Sequence, residues 1–176
     1  HWRTHKMSQT QVERLFIADR TILSTQTFRM TATNQTAGGY ITSNWESPDN
    51  TSAGNFGSTA VTVSSGVFSF ASTGLYKITM FTSGYINNES RYIGCQLIFT
   101  NDGSTYDDTA AASYGSASGD TSANYWAHAT NHYVADITNT TNQKCKMYLH
   151  ALNSTYFQGN SNANYTGLIF ERLGDT

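Results

Sequence analysis

The sequence predicts an all-β sandwich or jelly roll, and three observations carry this prediction. Nine short segments alternate apolar and polar residues with a period of two, which is typical of half-buried strands. The segments between them are rich in Gly, Ser, Asn and Asp, and no convincing helical period interrupts the series. A chain of 176 residues is also long enough to form one domain with a core of its own.

The predicted strands follow one another along the chain from residue 25 onward. They lie at 25–31, 39–46, 59–64, 66–71, 74–83, 90–100, 124–137, 144–152 and 164–173. Phe68 and Phe70 share the apolar face of one strand, and Tyr76, Ile78 and Met80 share that of the next. The small residues at 110–124 predict a long loop.

Two glycines occupy positions that a strand does not favour. Gly74 stands where the chain enters a strand, and such a position tolerates positive φ and has no Cβ to collide with a neighbouring strand. Gly167 lies inside the apolar run "NYTGLIFERL". The alternation places Thr166, Leu168 and Phe170 on one face and Tyr165, Gly167 and Ile169 on the other. Gly167 therefore predicts the close approach of another backbone or of a large side chain.

The two cysteines fall on the apolar faces of two different strands. Cys95 alternates with apolar residues in the strand at 90–100, and Cys145 does so in the strand at 144–152. We expect both to be buried free thiols, because free cysteine behaves as a small buried hydrophobe. A disulfide between two facing sheets is the alternative.

Residues 1–24 differ in character from the rest of the chain. They hold a large share of the charged residues and one stretch with a helical pattern, "QTQVERLFIADR", that is too short to be stable alone. We expect residues 1–24 to be an N-terminal attachment arm and residues 25–176 to be the sandwich domain. Met7 is an alternative natural start of the chain.

Charge and hydropathy exclude two classes of partner. Only 12% of the residues are charged and the formal net charge is −2, so the chain has no electrostatic footprint for nucleic acid. No apolar run approaches the roughly 20 residues that a membrane-spanning helix needs. We expect neither nucleic-acid binding nor membrane insertion.

The residues that carry enzyme chemistry do not form a recognisable set. The nucleophile motif Gly-x-Ser-x-Gly is missing, and the few glutamates are scattered along the chain. We therefore expect a non-enzymatic protein without a catalytic site or a cofactor.

Two groups of residues raise the question of a metal, and we expect none in either. His128 and His132 share one face of a strand about 13 Å apart, at about 3.3 Å per residue, which is too far for one metal within one chain. A ring of histidines around a threefold axis is the alternative to hydrogen-bonded histidines at a subunit contact. Asp102, Asp107 and Asp108 suit a solvated turn, and Ca²⁺ is the alternative.

Two phrases of the sequence resemble the C1q/TNF-like jelly-roll family. In that family an early strand begins at Gly-x-Tyr, as in "FSFASTGLYKI" here, and the last strand has an aromatic-x-Gly pattern, as in "NYTGLIFERL". The resemblance covers about residues 59–173. The chain departs from the family at 138–143, where "TNTTNQ" replaces a Gly-Asp turn. Phrases such as "NWESPDN" and "SSGVFSF" further resemble C1q-like modules of tailed-phage virion proteins.

The resemblance implies a homotrimer on the surface of a phage virion, as a capsid decoration or a fibre component. The arm would then contact other virion proteins. Apolar residues on both faces of the strands at 74–83 and 164–173 agree with such an assembly. The expected interface residues are Leu75, Phe81, Trp126, His128, Tyr165, Gly167 and Ile169. The alternative function is a tail-fibre module that recognises host surface glycans through Trp45, Tyr125, Trp126 and Tyr156.

Overall fold

The computed structural model describes residues 22–48, 55–57, 59–86, 91–116 and 125–176. Within these ranges the chain forms eleven β-strands and no helix. The strands are β1 (Ser24–Met30), β2 (Ala32–Tyr40), β3 (Trp45–Glu46), β4 (Val61–Ser64), β5 (Val67–Phe70), β6 (Gly74–Ile86), β7 (Tyr92–Thr100), β8 (Asp108–Ser116), β9 (Tyr125–Ile137), β10 (Lys144–Asn160) and β11 (Gly167–Gly174).

The strands pair antiparallel in two layers. The front layer has the order β3-β1-β11-β6-β9, and the back layer has the order β4-β5-β10-β7-β8 with β2 also paired to β10. The long strand β10 crosses to the front layer, where Tyr156 pairs with Tyr85 of β6. At the other edge, Ser113 of β8 donates a hydrogen bond of 2.8 Å to the carbonyl oxygen of Thr130 on β9. The two layers therefore form a sandwich that is nearly closed into a barrel.

The core lies between the layers, on the faces that the alternation predicts. Tyr76, Ile78 and Met80 are fully buried. The rings of Phe68 from the back layer and Phe170 from the front layer lie 5.3 Å apart. Apolar contact of this kind across a sandwich is its main source of stability.

Cys95 and Cys145 are buried free thiols, as predicted. Burial raises the pKa of the Cys95 thiol to about 12 and raises that of Cys145 as well. Neither sulfur is therefore a thiolate at neutral pH, so neither is a nucleophile.

The structure confirms that Gly74 has a positive φ and leaves no room for a Cβ. Its φ is +139°, which side chains with a Cβ rarely adopt. A Cβ there would collide with the carbonyl oxygen of Gly174 on β11 and would lie 3.1 Å from Nε of Arg172. The glycine thus lets the start of β6 pass close to the end of β11.

The strand predictions fail at four places, where the apolar alternation is weak or ends early. The predicted loop at 110–124 is wrong for residues up to 116, which belong to β8, and 117–124 lie outside the described residues. Strand β2 was missed because "ATNQTAGGY" is polar and small on both faces. The predicted strand at 39–46 is interrupted after Tyr40, and β10 continues eight residues beyond the predicted end at 152.

The expected arm lies mostly outside the described part of the chain. Residues 1–21, including the stretch with the helical pattern, lie outside the described residues. Leu23 donates a hydrogen bond of 2.7 Å to the carbonyl oxygen of Arg172, and β1 begins at Ser24. The last two residues assigned to the arm are thus already attached to β11.

Candidate self-association surface

The outward side of β9, β6 and β11 forms one continuous surface, which we call the apolar face. The strand register places its residues in rows that cross the three strands. His132, Thr79 and Ile169 form one row, and Thr130, Phe81 and Gly167 form the next. The odd positions of β6 face outward here because the even positions fill the core.

This face exposes large apolar side chains. Trp126 is 53% exposed, Tyr165 is 38% exposed and Leu75 is 37% exposed, while Phe81 and Ile169 are partly buried. Val134, which is 52% exposed on β9, belongs to the same face and was missed in the sequence. The sequence pattern could have indicated Val134, because it is an even number of residues from Trp126 on the same strand and therefore lies on the same face. Several large apolar side chains exposed on one face of a sheet are typical of a protein–protein interface.

Gly167 is buried on this face under a side chain of its own subunit. A Cβ on Gly167 would lie 2.9 Å from Cζ of Phe81 and would collide with the carbonyl oxygen of Phe28 on β1. The close approach predicted for this glycine is thus present within one chain. The ring that covers the backbone there is that of Phe81.

A shallow hollow of about 320 Å³ opens beside Phe81. Its lining comes from β6, from β9 and from the segment before β11, and comprises Phe81, Thr82, Ser83, His128, Ala129, Thr130, Asn164 and Tyr165. The hydroxyl of Thr82, one of these lining residues, lies 3.1 Å from that of Thr166, and both residues are buried. Three of the seven expected interface residues, Phe81, His128 and Tyr165, line the hollow.

His128 and His132 are both exposed on the apolar face, as their spacing predicts. They pair across the ladder with Ser83 and Thr79 of β6, two rows apart. Among the described residues, no group of three or more His, Cys, Asp or Glu side chains is placed to hold a metal ion.

Two ion pairs lie on or beside the apolar face. Lys77 and Glu171 lie side by side on β6 and β11, with Nζ 2.8 Å from Oε2, in the same row as Val134. This pair therefore separates Leu75 from Phe81 along β6. Beyond β11, Arg29 on β1 makes a hydrogen-bonded ion pair of 2.8 Å with Glu46 on β3.

The four aromatic residues expected to bind sugar do not form one platform. Trp45 packs against Phe68 at 5.0 Å between ring centroids and donates its indole hydrogen to the carbonyl oxygen of Ile41, so it supports the core. Tyr156 stacks on Tyr85 at 4.7 Å, and Tyr85 packs against Trp126 at 5.2 Å. This aromatic row is continuous with the apolar face.

The outward side of β2, β10, β7 and β8 carries a cluster of aromatic and polar side chains that the sequence analysis missed, and we call it the tyrosine face. Its members are Tyr40, Tyr92, Gln96, Tyr106, Tyr114, Lys146, Tyr148 and His150. The sequence pattern that indicates this face is the alternation in β10, where the positions between and beyond buried Cys145 and Met147 point outward. Lys146, Tyr148 and His150 occupy those outward positions.

The acidic turn after β7 is organised by one carboxylate. Asp102 accepts hydrogen bonds from the backbone of Ser104 at 2.8 Å, from that of Thr105 at 2.7 Å and from the Thr100 hydroxyl at 2.8 Å. These bonds, that from Thr105 first, hold the pKa of Asp102 well below its usual range. Asp102 is therefore engaged in closing its own turn. Asp107 and Asp108 are exposed nearby.

No helix long and apolar enough to cross a membrane occurs among the described residues. No protein-family model matches the chain, and neither does any curated protein sequence. Among solved structures, the chain is similar to murine APRIL at pH 5.0, with a TM-score of 0.59 and 11% identity over 85% of this chain and 98% of that one. It is also similar to Eiger TNF from S. frugiperda, with a TM-score of 0.66 and 10% identity over 86% of this chain and 93% of that one. The fold is therefore a C1q/TNF-like jelly roll, as predicted.

Proposed function

We propose that the protein is a non-enzymatic structural protein that assembles as a homotrimer through the apolar face. The observation that carries this proposal is the exposure of Trp126, Val134, Tyr165 and Leu75 on one side of a sandwich whose core is already complete. Burial of such side chains against a second copy yields about 25 cal/mol per Å² of apolar area. The TNF-like fold supports the trimer, because the family resemblance implies threefold packing of this layer.

The trimer is proposed to act as a surface component of a phage virion, as a capsid decoration or as part of a fibre. This step rests on the phrases of the sequence that resemble phage C1q-like modules. The arm at residues 1–24 would attach the trimer to other virion proteins. No catalytic step is part of the proposal, and the described hollow contains two titratable side chains, His128 and Tyr165.

A charge placed on the apolar face tests the assembly. We expect Trp126→Asp to raise the protein concentration at which trimers dissociate by at least about tenfold, because each trimer would bury three carboxylates in place of three indole rings. Leu152→Asp is the matched control, since Leu152 is 48% exposed on the back layer. Equal dissociation of the two variants would contradict the assignment of this face.

The position on a particle needs a separate test. Gold-labelled antibodies against residues 25–176 should decorate the outside of phage particles in electron micrographs. Label that appears only after the particles are broken open would contradict a surface role.

Recognition of host glycans by a fibre module is the alternative function. Of the four aromatic residues expected for it, Trp45 supports the core, whereas Trp126 and Tyr156 belong to the aromatic row beside the apolar face.

A further inference from the structure

The tyrosine face is held together by hydrogen bonds that converge on His150. The Tyr114 hydroxyl lies 3.2 Å from Nδ1 of His150, and the Tyr92 hydroxyl lies 3.4 Å from Nε2. Gln96 donates to the Tyr114 hydroxyl at 2.5 Å. Both ring nitrogens of the histidine are thus engaged by tyrosines, which fixes three aromatic rings relative to one another.

Two glycines let the rings of this face lie directly on the sheet. A Cβ on Gly94 would be 2.5 Å from Cδ1 of Tyr114, and a Cβ on Gly38 would be 2.8 Å from the hydroxyl of Tyr148. Gly38 and Gly94 flank His150 on the two neighbouring strands. The rings pack edge-to-face on one another and on the sheet, and Tyr114 remains 48% exposed.

A second group of rings extends this surface toward β2. Tyr40 is 39% exposed and packs edge-to-face against Tyr148 at 5.2 Å. The ammonium group of Lys146 lies 3.8 Å from the centre of the Tyr106 ring and 5.2 Å from that of Tyr40. This cation–π contact orders the lysine and leaves a hydrogen-bond donor beside exposed aromatic surface.

Next to Tyr40 the surface deepens into a hollow of about 140 Å³. Besides Tyr40, its lining is mainly hydroxyl and amide side chains, among them Thr33, Asn34, Thr42 and Ser43. Such groups donate and accept hydrogen bonds without carrying charge.

The chemistry of the tyrosine face differs from that of the apolar face. The apolar face exposes Trp126, Val134 and Leu75, which suit a protein contact. On the tyrosine face each exposed ring carries a hydroxyl, and the remaining polar groups are amides, one imidazole and one ammonium. A ligand that matches it must offer both an apolar surface to stack on rings and many neutral hydroxyl groups. A sugar ring has this composition, since its C–H groups share one side and its hydroxyls lie at the rim.

We propose that the tyrosine face is a carbohydrate-binding site, with Tyr114 and Tyr40 as stacking rings and with Gln96, Lys146 and His150 as hydrogen-bonding partners. The site lies on the back layer, on the opposite side of the sandwich from the proposed trimer contact. A trimer would display three copies outward, so a polysaccharide with repeated units would be bound with avidity. The inference does not depend on the trimer or on a virion location, and its failure leaves the proposed function unchanged.

The test is binding of the full chain to an array of purified bacterial lipopolysaccharides, capsular polysaccharides and neutral hexose oligosaccharides. We expect selective binding to at least one glycan class, and loss of that binding when the array is oxidised with periodate, which cleaves sugar diols. Tyr114→Ala and Tyr40→Ala should each weaken binding at least about tenfold, since ring stacking carries much of the contact. Tyr114→Phe, which keeps the ring, should weaken it less.

Phe56→Ala is the control, because Phe56 is an equally exposed ring, 52% exposed, in the segment that pairs with β1 of the other layer. Circular dichroism of each variant verifies that its β structure is retained. The proposal is overturned if the array shows no glycan binding, or if binding is equally strong in both alanine variants. Binding that survives periodate oxidation of the array would not depend on sugar diols and would also overturn the proposal.

Discussion

The chemical behaviour of single side chains in this protein depends on their burial. Cys95 and Cys145 are the clearest case, because each alternates with apolar residues and each is fully buried. Burial disfavours the charged thiolate, which raises the pKa of both groups, that of Cys95 to about 12. The two sulfurs therefore act as hydrophobic atoms of the core.

We expect Ellman's reagent to leave both thiols unmodified in the native protein at pH 8 and to modify both after unfolding in guanidinium chloride. The raised pKa values also predict a pH effect. Above pH 9 the unfolded chain releases thiol protons that the folded chain keeps, so the free energy of unfolding should fall as the pH rises from 9 toward 12. Rapid modification of the native protein at pH 8 would contradict the burial.

Strands could be predicted where apolar residues alternate cleanly, and they were missed where they do not. Strands β5, β6 and β7 follow the alternation, since their inward residues fill the core. The polar strand β2 and the small-residue strand β8 are held by pairing with β10 and β7, and pairing with a distant strand leaves no local signal. Among the exposed large apolar side chains named for the apolar face, all but Val134 were expected there from the strand alternation and from the family resemblance. Of the tyrosine face, the alternation in β10 indicates only that Lys146, Tyr148 and His150 point outward, and the pairing that brings Tyr40, Gln96 and Tyr114 beside them leaves no local signal.

The close contact between β11 and β1 depends on Gly167. We expect Gly167→Ala to lower the free energy of unfolding by about 1–3 kcal/mol, because the added Cβ meets the Phe28 carbonyl of a paired strand, which cannot move aside alone.

Gly39→Ala on β2 is the matched control for this measurement. A Cβ on Gly39 would come no closer than 3.9 Å to another atom, so the free energy of unfolding should change by about 0.5 kcal/mol at most. Both variants are compared by urea unfolding at one protein concentration, because dissociation of an oligomer also affects apparent stability. Equal effects of the two substitutions would contradict the assignment.

The sandwich has two outer faces with different chemistry. Its first strand begins at Ser24. The front layer is apolar and suits contact between subunits, and the back layer is tyrosine-rich and suits a polar ligand. The proposed trimer would use both faces at once, one for assembly and one for the proposed recognition of a ligand.

Deletion of residues 1–21 tests the division between arm and domain. Leu23 and Ser24 stay in the shortened chain because they bond to β11. We expect the shortened chain to keep its β circular dichroism and its oligomeric state and to lose attachment to its particle. A shortened chain that fails to fold would place the arm in the core.

The mass of the native protein in solution tests the central claim most directly. Light scattering coupled to size exclusion, at micromolar protein concentration, should give about three times the protomer mass of 19.3 kDa. A stable species of one protomer mass would contradict the account, because the apolar face would then be exposed to solvent in the native protein.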